Sequence, residues 1–371
     1  MTMRDILRKA IDGGRVTNDE GVRLYHEADL FELGSVANRL NIQKNPKAAS
    51  QATFVVDRNI NYTNYCYTLC KFCAFYRLPG DNKEGYVRSH DEIYKKIDEL
   101  LEIGGTQVLL QGGHNPDLGI DYYEDLVKTL HTRYPQVNIH SFSASEVWHI
   151  AKVSKLSVKD VLLRLKAVGL NSLPGGGAEI LVDRVRQKVS PLKTKTAEYF
   201  EVHRAAHEVG LISTSTMVYG LGETIEERMM HFDGYRKAQD ETKGFRAFIP
   251  WSFESESTEL TMPRRTGDEY LRMIAIARIM LDNIQHLQAG WVTEGPKLSQ
   301  IALDFGADDF GGILMEENVV SATKSDKLYS GVTKDEAIRI IQETGKTAVQ
   351  RNTNYETVKI YPRELSPVMA S

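Results

Sequence analysis

The chain has three cysteines, all within the segment Asn61-Tyr62-Thr63-Asn64-Tyr65-Cys66-Tyr67-Thr68-Leu69-Cys70-Lys71-Phe72-Cys73. Thiolates are soft ligands for iron–sulfur clusters, zinc or Cu(I), and three in a C-x3-C-x2-C spacing can wrap a cubane from one side. An odd number packed this closely is not a disulfide framework. The positions i, i+4 and i+7 would also line one face of a buried helix. The surrounding Tyr, Thr and Asn residues form helices poorly, which argues against that explanation. A structural zinc site needs four protein ligands, with His90 or His114 available as the fourth. With no fourth cysteine, a four-iron cluster would leave one iron without a protein ligand. Such an open position on a redox cluster is a catalytic device.

Other segments carry residues suited to binding. Gln111-Gly112-Gly113-His114 offers close backbone approach beside an imidazole. Leu173-Pro174-Gly175-Gly176-Gly177-Ala178-Glu179-Ile180 sets an acid after three glycines, with Arg184 and Arg186 beyond it. A phosphate cradle is a weaker reading of that run, since no P-loop lysine and Ser/Thr follow. His203 and His207 stand four apart, but Arg204 takes the place where a zinc-protease helix needs glutamate, so they read as surface residues.

The elements that must position these groups follow from hydrophobic period. The first fifty residues read as helical, a cap over residues 1–50. From residue 54 short apolar runs alternate with longer helical stretches, the strand candidates being 54–58, 106–111, 137–142, 170–173, 211–218, 245–249, 288–292 and 310–314. Ser89 with Glu92, Thr224 with Glu227, Thr266 with Glu269 and Thr333 with Glu336 fit capping boxes at helix starts. Strict alternation implies parallel pairing through right-handed crossovers, and eight repeats close an α/β barrel of the (βα)8 TIM-like kind over residues 51–320. An open doubly wound sheet is the competing architecture. Residues 321–371 form a C-terminal extension with one short helix and then polar, irregular sequence, placed to cover one barrel end. In such a barrel chemistry sits on loops leaving the C-terminal strand ends, where the cysteine segment, Gln111 to His114, Pro174 to Glu179, Trp251 and Glu294 all fall.

Forty-six Lys plus Arg against fifty Asp plus Glu give a net charge of −4, which offers no general attraction to nucleic acid or anionic membrane. Charges interrupt the first apolar stretch, and no run of about eighteen apolar residues occurs, so a cytoplasmic location is expected.

The motif C-x3-C-x-aromatic-C, met by Cys66, Cys70, Phe72 and Cys73, resembles the signature of the radical S-adenosylmethionine (SAM) superfamily. The resemblance implies a TIM-like barrel holding a [4Fe-4S] cluster on the three cysteines, whose open iron chelates SAM and which passes one electron to the sulfonium. It implies that Phe72 packs near the adenine and that Gln111, Gly112 and Gly113 meet the methionyl amino group. Glu179 then accepts from the ribose hydroxyls, and Arg184 or Arg186 pairs with a carboxylate. The strings Arg58-Asn59-Ile60-Asn61-Tyr62-Thr63-Asn64, Cys73-Ala74-Phe75-Tyr76-Arg77, Gln111-Gly112-Gly113-His114-Asn115-Pro116 and Phe248-Ile249-Pro250-Trp251, with the triple-glycine loop, are similar to the futalosine-pathway enzymes of menaquinone biosynthesis. Trp251 favours the branch that cyclises dehypoxanthinyl futalosine over the sister branch that makes aminofutalosine. What the resemblance implies is then specific: the adenosyl radical takes the C4′ hydrogen, the carbon radical adds to the benzoate ring, and an electron and a proton leave. The pocket needs an apolar wall (Trp251, Tyr76, Phe253), a carboxylate anchor (Arg58, Arg77 or Arg351) and a base (His114, Glu294 or Glu317). Tyr76, Arg77, Trp251 and Glu317 are the substrate-binding candidates. A one-electron reductase, flavodoxin or ferredoxin is the expected protein partner. A zinc-stabilised binding protein without turnover is the alternative from a different class.

Overall fold

In the computed structural model residues 2–323 and 331–363 are described. A nearly continuous extended run, β1 (Gln51–Val55) and β2 (Asp57–Ile60), opens the barrel. There follow β3 (Gln107–Leu110), β4 (Asn138–Ser141), β5 (Ser172–Leu173), β6 (Ile212–Tyr219), β7 (Phe245–Ser252), β8 (His286–Leu287) and β9 (Asp309–Gly312). Strands β2 to β8 pair in chain order, each parallel to the last. Strand β9 pairs with β1 and meets β8 at the Gln288↔Asp309 bridge, which carries the ring round to its first strand. Parallel strands covered on both faces bury nearly every residue, as β2 does over its whole length.

Helices Ile225–Thr242 and Gly267–Met280, on the outer layer, receive the N-terminal helices Asn18–Glu27 and Leu30–Lys44. Lys44 Nζ fixes that docking by donating to the carbonyls of Asp282 (2.6 Å) and Ile284 (2.9 Å). The first fifty residues therefore lie against the outer helices. No helix among the described residues is long and apolar enough to cross a membrane.

Several expectations need correction. The eighth-ring region expected to be extended at 288–292 instead turns at Gly290 into the short helix Trp291–Glu294, where Trp291 Nε1 donates to Gly312 O at 2.8 Å. Capping boxes form at Ser89, Thr224 and Thr333, but not at Thr266, because Glu269 turns to accept from Arg228 at 2.8 Å. His203 and His207 are packed between helix and sheet, each within hydrogen-bond reach of Ser213 Oγ (3.1 and 2.7 Å). The extension is more regular than its polarity suggests. After helix Lys334–Glu343, β10 (Thr347–Arg351) runs parallel to β1 and β11 (Thr357–Tyr361) returns antiparallel. Its turn closes the N-terminal mouth of the barrel. There Thr353 Oγ1 donates to Gln107 Oε1 (2.7 Å), and the Tyr355 ring stacks on His286 with centroids 3.6 Å apart.

Candidate active site at the C-terminal rim

The loop leaving β2 carries the cysteines and is held by its own backbone. Cys66 N donates to Arg77 O (2.9 Å) and Arg77 N to Asn64 O (2.8 Å), so the segment folds back on itself around the thiols. The Arg77 guanidinium donates to the carbonyls of Ala74, Phe75 and Tyr76 at 3.2, 3.3 and 2.9 Å and pairs with Glu84. Arg77 thus staples the loop, and neither it nor Tyr76, half-buried beside it, lines the cavities described below.

Cys66 and Cys70 are buried and Cys73 half-buried. The Thr68 hydroxyl lies 2.8 Å from Cys66 Sγ and 3.8 Å from Cys70 Sγ. Burial pushes the Cys70 thiol up to about 12 and raises Cys73 as well. Dry, neutral thiols of this kind become thiolates when a metal takes the proton's place. Among the described residues no three His, Cys, Asp or Glu side chains gather as ligands of a single ion. His90 lies 3.6 Å from Asp125 at the start of an outer helix, and His114 is stacked on His149, so neither completes a zinc site. The donor set suits a polynuclear cluster whose thiolates stand on separate irons.

The glycine pair after β3 is required first by the cysteine loop. A Cβ added to Gly113 would sit 2.1 Å from Tyr65 O and 2.9 Å from Cys66 Cβ, and one on Gly112 would strike the Tyr62 ring at 2.6 Å. Gly112 N donates to Glu146 Oε1 at 2.8 Å, and the same oxygen accepts from Tyr62 OH at 2.7 Å. Glu146 is thus the buried post on which the glycine turn rests. It is the fourth residue of an unremarked capping box with Ser143, a signal the sequence did carry.

In the glycine-rich loop after β5, Gly176 packs against Gln111, whose Nε2 would lie 2.3 Å from an added Cβ. Glu179 is buried and holds a left-handed φ of 41°. Its Oε1 accepts from Lys193 Nζ at 2.8 Å, while Oε2 has no hydrogen-bond partner and stands 3.5 Å from Arg186. Lys193 Nζ also sits 5.4 Å above the Phe72 ring, so one lysine joins the cysteine loop to Glu179. No periodicity or motif marked Lys193, which reaches the site from the irregular stretch after helix Asp183–Val189. Arg186 is spent on carbonyls of Ala178 (2.6 Å) and Thr194 (2.7 Å). Arg184 turns outward to Glu227 at 2.6 Å and does not reach the site.

Two cavities meet here. One of about 240 Å³ is lined by Phe72, Gln111, Glu179, Trp251, Phe253 and Glu317, among others. The other, about 130 Å³, runs deeper into the barrel and shares Leu109, Gln111 and Trp251 with it. Glu317 contributes its wall, but its carboxylate is occupied by the backbone N–H groups of Val319 (2.8 Å), Val320 (2.9 Å) and Ser321 (2.9 Å). Glu294 adjoins cavity-lining Thr293 and accepts from Ser252 N at 3.2 Å; burial, with Glu254 nearby, raises its carboxyl. His114 stands apart from both cavities, in an outer pocket with Tyr67, His149 and Lys193. Burial, with His149 and Lys193 beside it, holds it well below the usual imidazole range, hence neutral. The structure therefore brings Phe72, Gln111, Glu179 and Trp251 together, keeps Glu294 at the edge, and leaves His114, Arg77 and Arg184 outside.

Residues 60–233 match the radical SAM superfamily, and residues 242–364 match the CofH/MqnC C-terminal region. The chain is 44% identical over 362 residues to the cyclic dehypoxanthine futalosine synthase of Halalkalibacterium halodurans, covering 97% of this chain and 96% of that one. It is 37% identical over 363 residues to the aminodeoxyfutalosine synthase of Thermus thermophilus, covering 96% of each. Methylornithine synthase shares the fold, with a TM-score of 0.72 at 18% identity over 92% of this chain and 96% of that one.

Proposed function

The chain belongs to the radical SAM superfamily, and from that premise we propose that it cyclises dehypoxanthinyl futalosine at the expense of SAM. Membership implies a [4Fe-4S] cluster and SAM, which together supply, when bound, a 5′-deoxyadenosyl radical able to take a hydrogen atom from the substrate. The observation that carries the reading is the joined pair of cavities. Phe72, Gln111 and Glu179 face the same space as Trp251, so a cofactor held by the first three lies beside whatever ring packs on the tryptophan.

This chain's residues divide the remaining tasks. Cys66, Cys70 and Cys73 hold the cluster, with Gly112 and Gly113 allowing the loop to seat. Phe72 packs on the adenine. The unpartnered Oε2 of Glu179 accepts a ribose hydroxyl, which satisfies a buried acceptor otherwise left unmade. Glu294, whose carboxyl burial raises, is our candidate to receive the proton that would leave the ring. The buried walls keep water and stray C–H bonds from a carbon radical. An external one-electron carrier, a reductase, flavodoxin or ferredoxin, would supply the electron that SAM cleavage consumes and take up the electron that leaves with the ring's proton, and the substrate is a small molecule.

The test is turnover by anaerobically reconstituted protein given dithionite, SAM and dehypoxanthinyl futalosine. Free 5′-deoxyadenosine with a product lighter by two hydrogens is expected. An adenosyl group built into the product from an enolpyruvyl benzoate would assign the aminodeoxyfutalosine synthase reaction instead. Cys70→Ala should lose both the visible absorbance and at least about 100-fold in turnover, as removal of a metal ligand does. Full activity in that variant would refute the cluster assignment.

A further inference from the structure

The substrate proposed above carries a benzoate carboxylate, yet each arginine expected to hold it already has a carboxylate of its own. Arg58 pairs with Glu99 and Glu316, Arg77 with Glu84, and Arg351 with Asp309. Arg246, near the start of β7, is different. It lies where the β6–β7 register shifts, and it lines the deeper cavity. Among the described residues its hydrogen-bond partners are His140 Nδ1 (3.2 Å) and Asn354 Oδ1 (3.4 Å), neither of them charged. Burial, with Arg246 itself and then Arg351 nearby, holds His140 well below the imidazole range, so it accepts a hydrogen bond without supplying charge. Burial also draws the Arg246 guanidinium down to about 9. Asp57 lines the same cavity, but it is held by Leu314 N at 3.0 Å, at the seam between β2 and β9.

A guanidinium presents five donors, and two long contacts to neutral groups leave most of them without a hydrogen-bond partner among the described residues beside the cavity that Arg246 lines. Taking a cation out of water without a counter-ion is unfavourable, and a carboxylate arriving in the cavity removes that deficit with two parallel hydrogen bonds. The depth also fits. His140 is in register with Leu109, which lines both cavities, and Gln111 lies two residues further along β3, about 7 Å higher. The guanidinium, held at the level of His140, therefore sits roughly one side-chain layer below Gln111, and Trp251, five residues further along β7, lines the cavity above it.

Resting on the cyclase reading, we infer that Arg246 anchors the carboxylate of the substrate's aromatic ring, with the ring itself in the layer of Trp251 and Gln111. It is a substrate-positioning residue that fixes which ring face meets the sugar radical.

The test compares dehypoxanthinyl futalosine with its carboxamide analogue in the wild type and in Arg246→Gln. The wild type should prefer the acid by about 100-fold in kcat/KM, the scale of a buried charge-assisted pair. In Arg246→Gln the KM for the acid should rise roughly 30-fold with kcat within about threefold, and the preference should collapse. An unchanged KM or a retained preference overturns the assignment. Binding of 3-acetylbenzoate to the reconstituted protein, followed by calorimetry, decides the matter without turnover. Loss in Arg246→Gln supports the anchor, whereas equal binding, or none to the wild type, overturns it. Should the variant fail to fold, a crystal structure of the wild type with 3-acetylbenzoate serves. A carboxylate on Arg246 supports the anchor and one placed elsewhere refutes it. A wild type that binds the probe through Arg246 yet leaves dehypoxanthinyl futalosine unconverted would sink the proposed function alone.

Discussion

Glu179 combines two features that cost free energy: a left-handed backbone at a non-glycine residue and a buried carboxylate with one oxygen that has no hydrogen bond, only the longer ion pair to Arg186 at 3.5 Å. Such strain persists only where surrounding structure holds it, and here Lys193 and the bond from Val218 N to Glu179 O (3.0 Å) do so. Glu179→Gln removes the charge facing Lys193 and weakens an acceptor for a ribose hydroxyl. The KM for SAM should rise by about tenfold or more, the scale of a lost charged hydrogen bond, and an unchanged KM would dissociate Glu179 from the cofactor. Arg77 makes the opposite case. Its contacts are to the carbonyls of the cysteine loop, so Arg77→Ala should leave the substrate KM within about twofold while the cluster is lost faster on exposure to a chelator. A raised KM with an unaltered rate of iron release would return Arg77 to the substrate.

At the scale of elements the rim is built by loops resting on one another. Gly113 bears on the carbonyl of Tyr65, and in Gly113→Ala a Cβ 2.1 Å from that oxygen and 2.9 Å from Cys66 Cβ would push the cysteine loop away. Iron content after reconstitution should fall well below that of the wild type, by about half or more, with the far-UV spectrum unchanged; normal iron content would show that the loop yields. The same packing explains what could be read from the chain beforehand. The cysteine spacing, the alternation of β and α and the capping boxes at Ser89, Thr224 and Thr333 are local, and local signals survive translation into structure. The residues that complete the site do not announce themselves. Lys193 follows no period, and Arg246 looks like any charge near the edge of a strand until a register shift carries it inward. Arg184 and Arg186 differ by two residues, yet one pairs with Glu227 on the outside and the other is buried under the glycine loop. Its place after the glycine pair points to His114 beside the substrate, but its ring stacks on His149 in the outer pocket instead. The strands of the extension carry no clear sequence signal, since β11 is exposed and does not alternate cleanly.

For the molecule as a whole, the decisive junction is where the last strand of the ring meets the first. Asp57 at the start of β2 accepts from Leu314 N just beyond β9, and its carboxylate lies so close to Gly312 that an added Cβ would stand 2.4 Å from its oxygens. The nearby Arg351 already pairs with Asp309, and Asp57 itself forms no salt bridge among the described residues, so desolvation dominates its ionisation. Burial accordingly lifts its carboxyl to about 6, against an ordinary value of about 3.9 in the unfolded chain. Between those values the folded protein binds more protons than the unfolded one. This group's contribution to stability is therefore complete below about pH 4 and is lost as the pH rises through about 6. The loss amounts to at most about 3 kcal/mol. Asp57→Asn keeps an acceptor for Leu314 N without the charge. It should raise Tm by roughly 2–8 °C at pH 8 and by less at pH 5, measured at one scan rate. A variant less stable than the wild type at pH 8 would show that the seam depends on the carboxylate's charge.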